Sequence, residues 1–254
     1  MPWGTDLHDF PITDTFHLLL IKFATLFTAD HALILNIFFI LTFPLTTITA
    51  LVVFRHFKLS YFLAALGSLL YTFTPYHLSR SEHHLMYSAY YIVPLMVMVL
   101  LWVCASGREV NDKGQQSLSL NLQSSKLILS LIICILIAST GGVYYSFFAC
   151  CLLLTVGLIR ACSLRHIRHF FLPGILIATI AITAIANLAP SILYQIKHGP
   201  TSTAQRFPSE AEIYGLKVAQ LLLPITDHRL ALWSHLKAKY NANPFILTNE
   251  NDDS

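Results

Sequence analysis

The sequence predicts an all-α fold: a polytopic integral membrane bundle of about six spans, with an amphipathic surface helix and an external C-terminal helical segment. Three observations predict it. The 254 residues are 55% apolar and only 11% charged, against about 25% charge in a soluble domain. Several uncharged apolar runs approach the length needed to cross a bilayer, about 20 residues. The cations gather in alternate connections between those runs. This composition excludes a cytosolic enzyme and a disordered tail. A net charge of +3 gives no case for a nucleic-acid partner. Cys104, Cys134, Cys150, Cys151 and Cys162 lie in or beside apolar runs, where cysteine behaves as a small hydrophobe, and no disulfide framework is legible.

Residues 1–31 form the first external segment. It packs Asp6, His8, Asp9 and Asp14 ahead of an expected helix over 13–29. Phe16, Leu19, Leu20, Phe23 and Phe27 recur there at three- and four-residue spacing, so that helix should lie along the membrane surface. Asp14 and Thr13 suit an N-cap. Asp6 and Asp9 have no such structural task and are the candidate acid or base. Asp6, His8 and Asp9 fit no closed metal-ligand spacing. No metal is assigned, and the cofactor is left unknown.

Residues 32–196 form the transmembrane part. Spans are expected at 32–54, 59–75, 85–105, 127–139, 143–160 and 170–196. The run from Leu127 to Ile159 is uncharged throughout. As one helix it would reach about 50 Å, too long for a hydrocarbon core of about 30 Å. Gly141-Gly142 sits near its middle, so a turn over Ser139–Gly142 divides it. The connections 55–59, 106–126 and 160–169 hold Arg55, Lys58, Arg108, Lys113, Lys126, Arg160, Arg165 and Arg168, whereas 76–83 and 139–142 hold only Arg80. The positive-inside rule makes the first set cytoplasmic. No span carries a charged residue at its middle, which argues against an ion-coupled pump. Asn36, Asn187 and Gln195 are expected to bond neighbouring helices.

The turn Pro75–His84 gathers His77, Arg80, Glu82, His83 and His84, which must face water, one another or a substrate. Arg80 suits a two-pronged phosphate contact; a solvated turn with an Arg80–Glu82 contact is the competing reading. Tyr87, Tyr90 and Tyr91 follow, as interface anchors or a sugar platform. In the external C-terminal segment, 197–254, Ser209 and Glu212 make a capping box before one amphipathic helix. Asp227-His228-Arg229 precedes a second, carrying Leu230, Trp233, Leu236 and Tyr240. His228 and Arg229 could help cover a site; a helix pair packed on the membrane face is the alternative. An external N-terminus without a leader implies an upstream span, so the chain is expected to be part of a longer protein.

The runs PWGTDLHDFPITD, TPYHLSRSEHHLMYSAYYIVPL, GGVYYSFF and LLLPITDHR resemble the GT-C superfamily of polytopic glycosyltransferases, most of all its bacterial YfhO-like branch. The resemblance implies transfer of a sugar from a polyprenyl-phosphate donor to an acceptor glycan, lipid or protein, outside the bacterial cytoplasmic (inner) membrane. It places the superfamily's first-loop aspartate, a base or metal ligand, at Asp6 and Asp9. Arg80, aided by His83 or His84, would hold the donor phosphate, with Glu82, His77, Tyr90, His228 and Arg229 as further substrate contacts. Where oligosaccharyltransferase catalytic subunits continue to an acidic group after a similar run, Ser79-Arg80-Ser81 continues as Glu82-His83-His84, which departs from a metal-dependent pattern. Two alternatives come from other classes: a lipid-linked sugar translocase with no bond chemistry, and a non-catalytic membrane fragment.

Overall fold

The computed structural model describes residues 13–80, 84–106, 124–199, 222–225 and 227–242. Every regular element among them is helical. The chain divides into residues 1–199 and 200–254, and each unit is described by itself.

Helix α1 spans Thr15–Ala24, shorter than the expected 13–29. Its orientation reverses that of a surface helix on a soluble protein. His17 is its buried residue, while Leu19 and Phe23 are more than 60% exposed. The apolar stripe thus points away from the protein, as a lipid-facing stripe would.

Helix α2, His31–His56, starts where the Asp30 carboxylate accepts the Leu33 N–H at 3.0 Å. Its end is closed by Arg55, which donates to the Leu59 carbonyl and stacks over the Tyr61 ring at 3.6 Å. Helix α3, Tyr61–Thr72, is capped by Ser60. The expected span 59–75 is therefore a helix of 12 residues, about 18 Å long at about 1.5 Å per residue. Helix α4 covers Pro75–Arg80.

The expected span 85–105 is broken into α5, Leu85–Ser88, and α6, Val93–Ala105. Pro94 stands in the first turn of α6, where its missing N–H costs nothing and its ring favours a fresh start. Helices α7, Ser124–Ala138, and α8, Gly142–Ser163, meet at the expected turn. A 3-10 turn over Ile167–Phe170 runs into α9, Phe171–His198. In the second unit α10 spans Ala231–Asn241, the second expected C-terminal helix; the Ser209–Glu212 capping box lies outside the described residues.

Among the described residues three segments are long and apolar enough to cross a membrane: His31–His56, Gly142–Ser163 and Ile167–His198, with mean hydropathies of 2.3, 2.0 and 2.1. Among the described residues α3, α6 and α7 are apolar but shorter. The core joins α6 to α9 through Val99, Val103, Ile133, Ile137, Leu153, Leu176 and Ile180. Around it the soluble pattern is inverted. Leu70, Ile40, Phe148 and Ile182 are exposed, while Thr42, Thr46, Ser68 and Thr72 are buried. Small hydroxyl residues on helix contacts allow close approach and donate to their own helix backbone, as Thr72 does to the Ser68 carbonyl at 2.9 Å. These are the features of a membrane protein.

Candidate functional site

The site is built at the α7–α8 turn. Gly141 and Gly142 take φ of +66° and +64°, a left-handed conformation open to glycine at little cost. A Cβ on Gly141 would stand 1.8 Å from the Tyr145 ring. The two glycines thus let the turn close while Tyr145 folds back over it.

Three other parts of the chain converge on this turn. From the segment before α1, the Asp14 carboxylate accepts the Gly142 N–H at 2.9 Å. Phe16 donates its N–H to the Ser139 carbonyl at 3.1 Å. From α9, Asn187 Nδ2 donates to the Ala138 carbonyl at 3.0 Å, and Asn187 Oδ1 accepts from Thr15 Oγ1 at 2.8 Å. From the α4–α6 region, the Tyr87 carbonyl accepts from the Tyr145 hydroxyl. The Tyr76 and Tyr145 hydroxyls pair at 3.1 Å. His17 Nε2 and the Tyr91 hydroxyl pair at 3.0 Å.

Asp14 is 4% exposed. It makes no side-chain cap on α1 and instead sits at the N-terminus of α8, where the helix dipole favours an anion. His17 Nδ1 stands 3.6 Å from the same carboxylate oxygen. A cavity of about 620 Å³ opens beside this carboxylate. Thr13, Asp14, Tyr87 and Gly142 line it, and Val143, Tyr144, Phe147 and Phe148 continue its wall along α8.

The structure sorts the sequence-predicted residues into groups. Arg80 is exposed on α4, its guanidinium 5.4 Å from the Tyr76 ring centroid. His84 is exposed just before α5, its ring 6.0 Å from that of Tyr87. Both stay open to a ligand on the α4–α5 side. His77 and Tyr90 do not fit the substrate contacts expected of them. His77 is fully buried. Its Nε2 pairs with Thr42 Oγ1 at 2.8 Å and its Nδ1 with the Thr72 carbonyl at 2.9 Å, and its ring stacks on Phe43 at 3.9 Å. Burial holds its imidazole below the ordinary range against the opposing pull of the Thr72 carbonyl, which keeps it neutral. The buried Tyr90 hydroxyl is committed to Thr74 at 3.1 Å and to the Tyr71 carbonyl at 2.9 Å. These two residues tie the turn to α2 and α3, because a buried polar group must find its partners within the protein.

Asp6, Asp9, Glu82 and His83 lie outside the described residues. His228 and Arg229 belong to the second unit, where His228 Nδ1 accepts the Leu230 N–H at 3.2 Å. No group of three or more metal-ligating side chains occurs among the described residues. The sequence treated Asp14 as a cap, and its distant partner at Gly142 has no local signature. The visible signal was the GGVYYSFF run, which supplies both the turn and the aromatic wall.

Residues 118–205 match a family model described as the DUF1420 N-terminal domain. The matched stretch holds α7, α8 and α9, hence the turn, the aromatic wall and Asn187, but neither Asp14 nor Arg80. No curated protein and no solved structure matches the chain.

Proposed function

We propose that this is a multi-pass protein of a bacterial inner membrane, acting as a GT-C-type glycosyltransferase. It moves a sugar from a polyprenyl-phosphate donor to an acceptor glycan, lipid or protein on the external face. One observation carries the reading: a buried carboxylate, Asp14, borders a cavity at the α7–α8 turn, and Tyr145 of that turn bonds Tyr76, whose ring lies beside the Arg80 guanidinium. In such a transfer the acceptor hydroxyl attacks the anomeric carbon as the phosphate departs. A carboxylate takes the hydroxyl proton. A cation meets the charge left on the phosphate. Asp14 joins Asp6 and Asp9 as candidates for the first task, and Arg80, with His83 or His84, serves the second.

The proposal keeps six crossings: α2, α3, α5 with α6, α7, α8 and α9. Helices α3, α6 and α7 are about 18–22 Å long and need their flanking turns to complete a crossing of about 30 Å. The charge distribution supports the sidedness. Arg55 and Lys58 lie at the C-terminal end of α2, and Arg160, Arg165 and Arg168 gather at the end of α8, away from the Asp14 turn.

The test is sugar transfer in membranes carrying the full chain, supplied with a radiolabelled polyprenyl-phosphate sugar and membrane acceptors. Arg80→Ala and the triple variant Asp6→Asn, Asp9→Asn, Asp14→Asn should each lower transfer by about 100-fold or more, the usual scale of a lost acid–base or charge-stabilising group. Full transfer by the triple variant would end the assignment. Movement of the labelled lipid between leaflets with no glycosylated product would replace it with translocation.

A further inference from the structure

We propose that the cavity beside Asp14 is a binding site for a membrane lipid that enters from the bilayer side, and whose headgroup donates hydrogen bonds and carries no net negative charge. The inference deepens the reading above by assigning this cavity to the acceptor rather than to the donor phosphate.

Three features carry it. First, the wall is graded. At the turn it offers the Asp14 carboxylate, whereas Val143, Tyr144, Phe147 and Phe148 continue it as two i,i+4 pairs along α8. All four of those residues are more than half exposed, on a helix apolar and long enough to span a bilayer. That outer face meets acyl chains, so the cavity is open to lipid along its length.

Second, the polar end wants a donor. Among the lining residues Asp14 is the charged one. A carboxylate there accepts from hydroxyls or ammonium and repels a phosphate monoester. Burial sharpens the preference, because a charge removed from water is costly unless it is met by opposite charge or donors. Third, Thr13 is 1% exposed and its Oγ1 has no hydrogen-bond partner among the described residues, a polar group left over at the same end. Tyr87 and Tyr144, 5.6 Å apart in an edge-on pair, supply aromatic faces suited to a sugar ring or an ammonium.

A hydroxylated glycolipid head and an amine-bearing head share this chemistry, and the experiment separates them. The full chain is reconstituted in phosphatidylcholine nanodiscs with one photoactivatable lipid at a time: a diglucosyl diacylglycerol, a phosphatidylethanolamine or a phosphatidic acid. No sugar donor is present, so the result is independent of transfer activity. Labelling of residues 143–148 is read by peptide mapping. One of the first two lipids should label at least 10-fold more than phosphatidic acid, and which one does so identifies the head. Asp14→Asn should bring phosphatidic acid to within about 3-fold of the preferred lipid, because the repelling charge is gone. Phe148→Ala, on an exposed face of α8, should cut labelling at least 5-fold while the variant keeps the melting temperature of the parent chain. Equal labelling by all three lipids, discrimination that survives Asp14→Asn, or labelling unchanged by Phe148→Ala would overturn the site. Preferred labelling without any transfer activity would keep the site and remove the enzyme.

Discussion

The Asp14 carboxylate accepts the Gly142 backbone N–H across 128 positions of sequence. This bond fastens the segment before α1 to the first turn of α8, at the point where two left-handed glycines leave an amide free to donate. The carboxylate gains a charge-assisted bond and the end of a helix dipole. The amide gains a partner that it would lack at a helix start.

Replacing Asp14 with alanine should cost about 2–3 kcal/mol, the range for a hydrogen bond to a charged group whose partner is left buried. Asparagine keeps an acceptor oxygen and should cost about half of that. Thermal unfolding of the purified chain in detergent checks both, and equal stability of the alanine variant would remove the fastening role.

Gly141 tests how tightly the turn is closed. It sits in the left-handed region at φ +66°, and the Tyr145 ring crosses the position that a Cβ would take. Gly141→Ala should cost about 1–2 kcal/mol of backbone strain. It must also displace Tyr145 and break its bonds to Tyr87 and Tyr76, so the total loss should exceed that strain alone. The melting temperature of the variant in detergent decides it, and an unchanged value would remove the closing role of the glycine.

His77 gives the fold an acid-sensitive joint. Its folded pKa is held below the unfolded value of 6.5 by burial, so the unfolded chain binds more protons between the two values. Stability is therefore full above pH 6.5 and falls as pH drops below it, in line with proton linkage. In His77→Gln the decline below that pH should flatten. Unfolding midpoints across pH 5–7.5, about the range in which histidine titrates, provide the measurement.

The sidedness argument predicts opposite labelling at the two ends of the bundle. With the native cysteines replaced by alanine, Ser79→Cys should react with a membrane-impermeant maleimide in intact cells. Arg165→Cys should react only after lysis. The reverse pattern would place the Asp14 cavity in the cytoplasm and sink the external-face assignment.

The α7–α8 hairpin was legible in the sequence because the uncharged run from Leu127 to Ile159 exceeds one bilayer crossing and Gly141-Gly142 marks the place to divide it. The length of α2 followed from its uncharged run; its Asp30 cap came from the structure. The break between α5 and α6 did not, since hydropathy averages over Ala89–Ile92 and passes straight through it. His77 is the plainest reversal in the site. Its neighbours suggested a solvated turn, yet Thr42 and Thr72 were already within reach to bury it.

Composition and periodicity by themselves determined that this chain is helical and built for an apolar solvent, because those properties sum over many residues and need no partner. They also marked which stretches carry polar side chains. Only the tertiary structure decided which of those polar groups meet. Whether Asp14 caps its own helix or crosses to Gly142, and whether His17 turns inward to Tyr91, depends on which amide or hydroxyl packing brings within about 3 Å, and such distances are set by elements far apart in sequence.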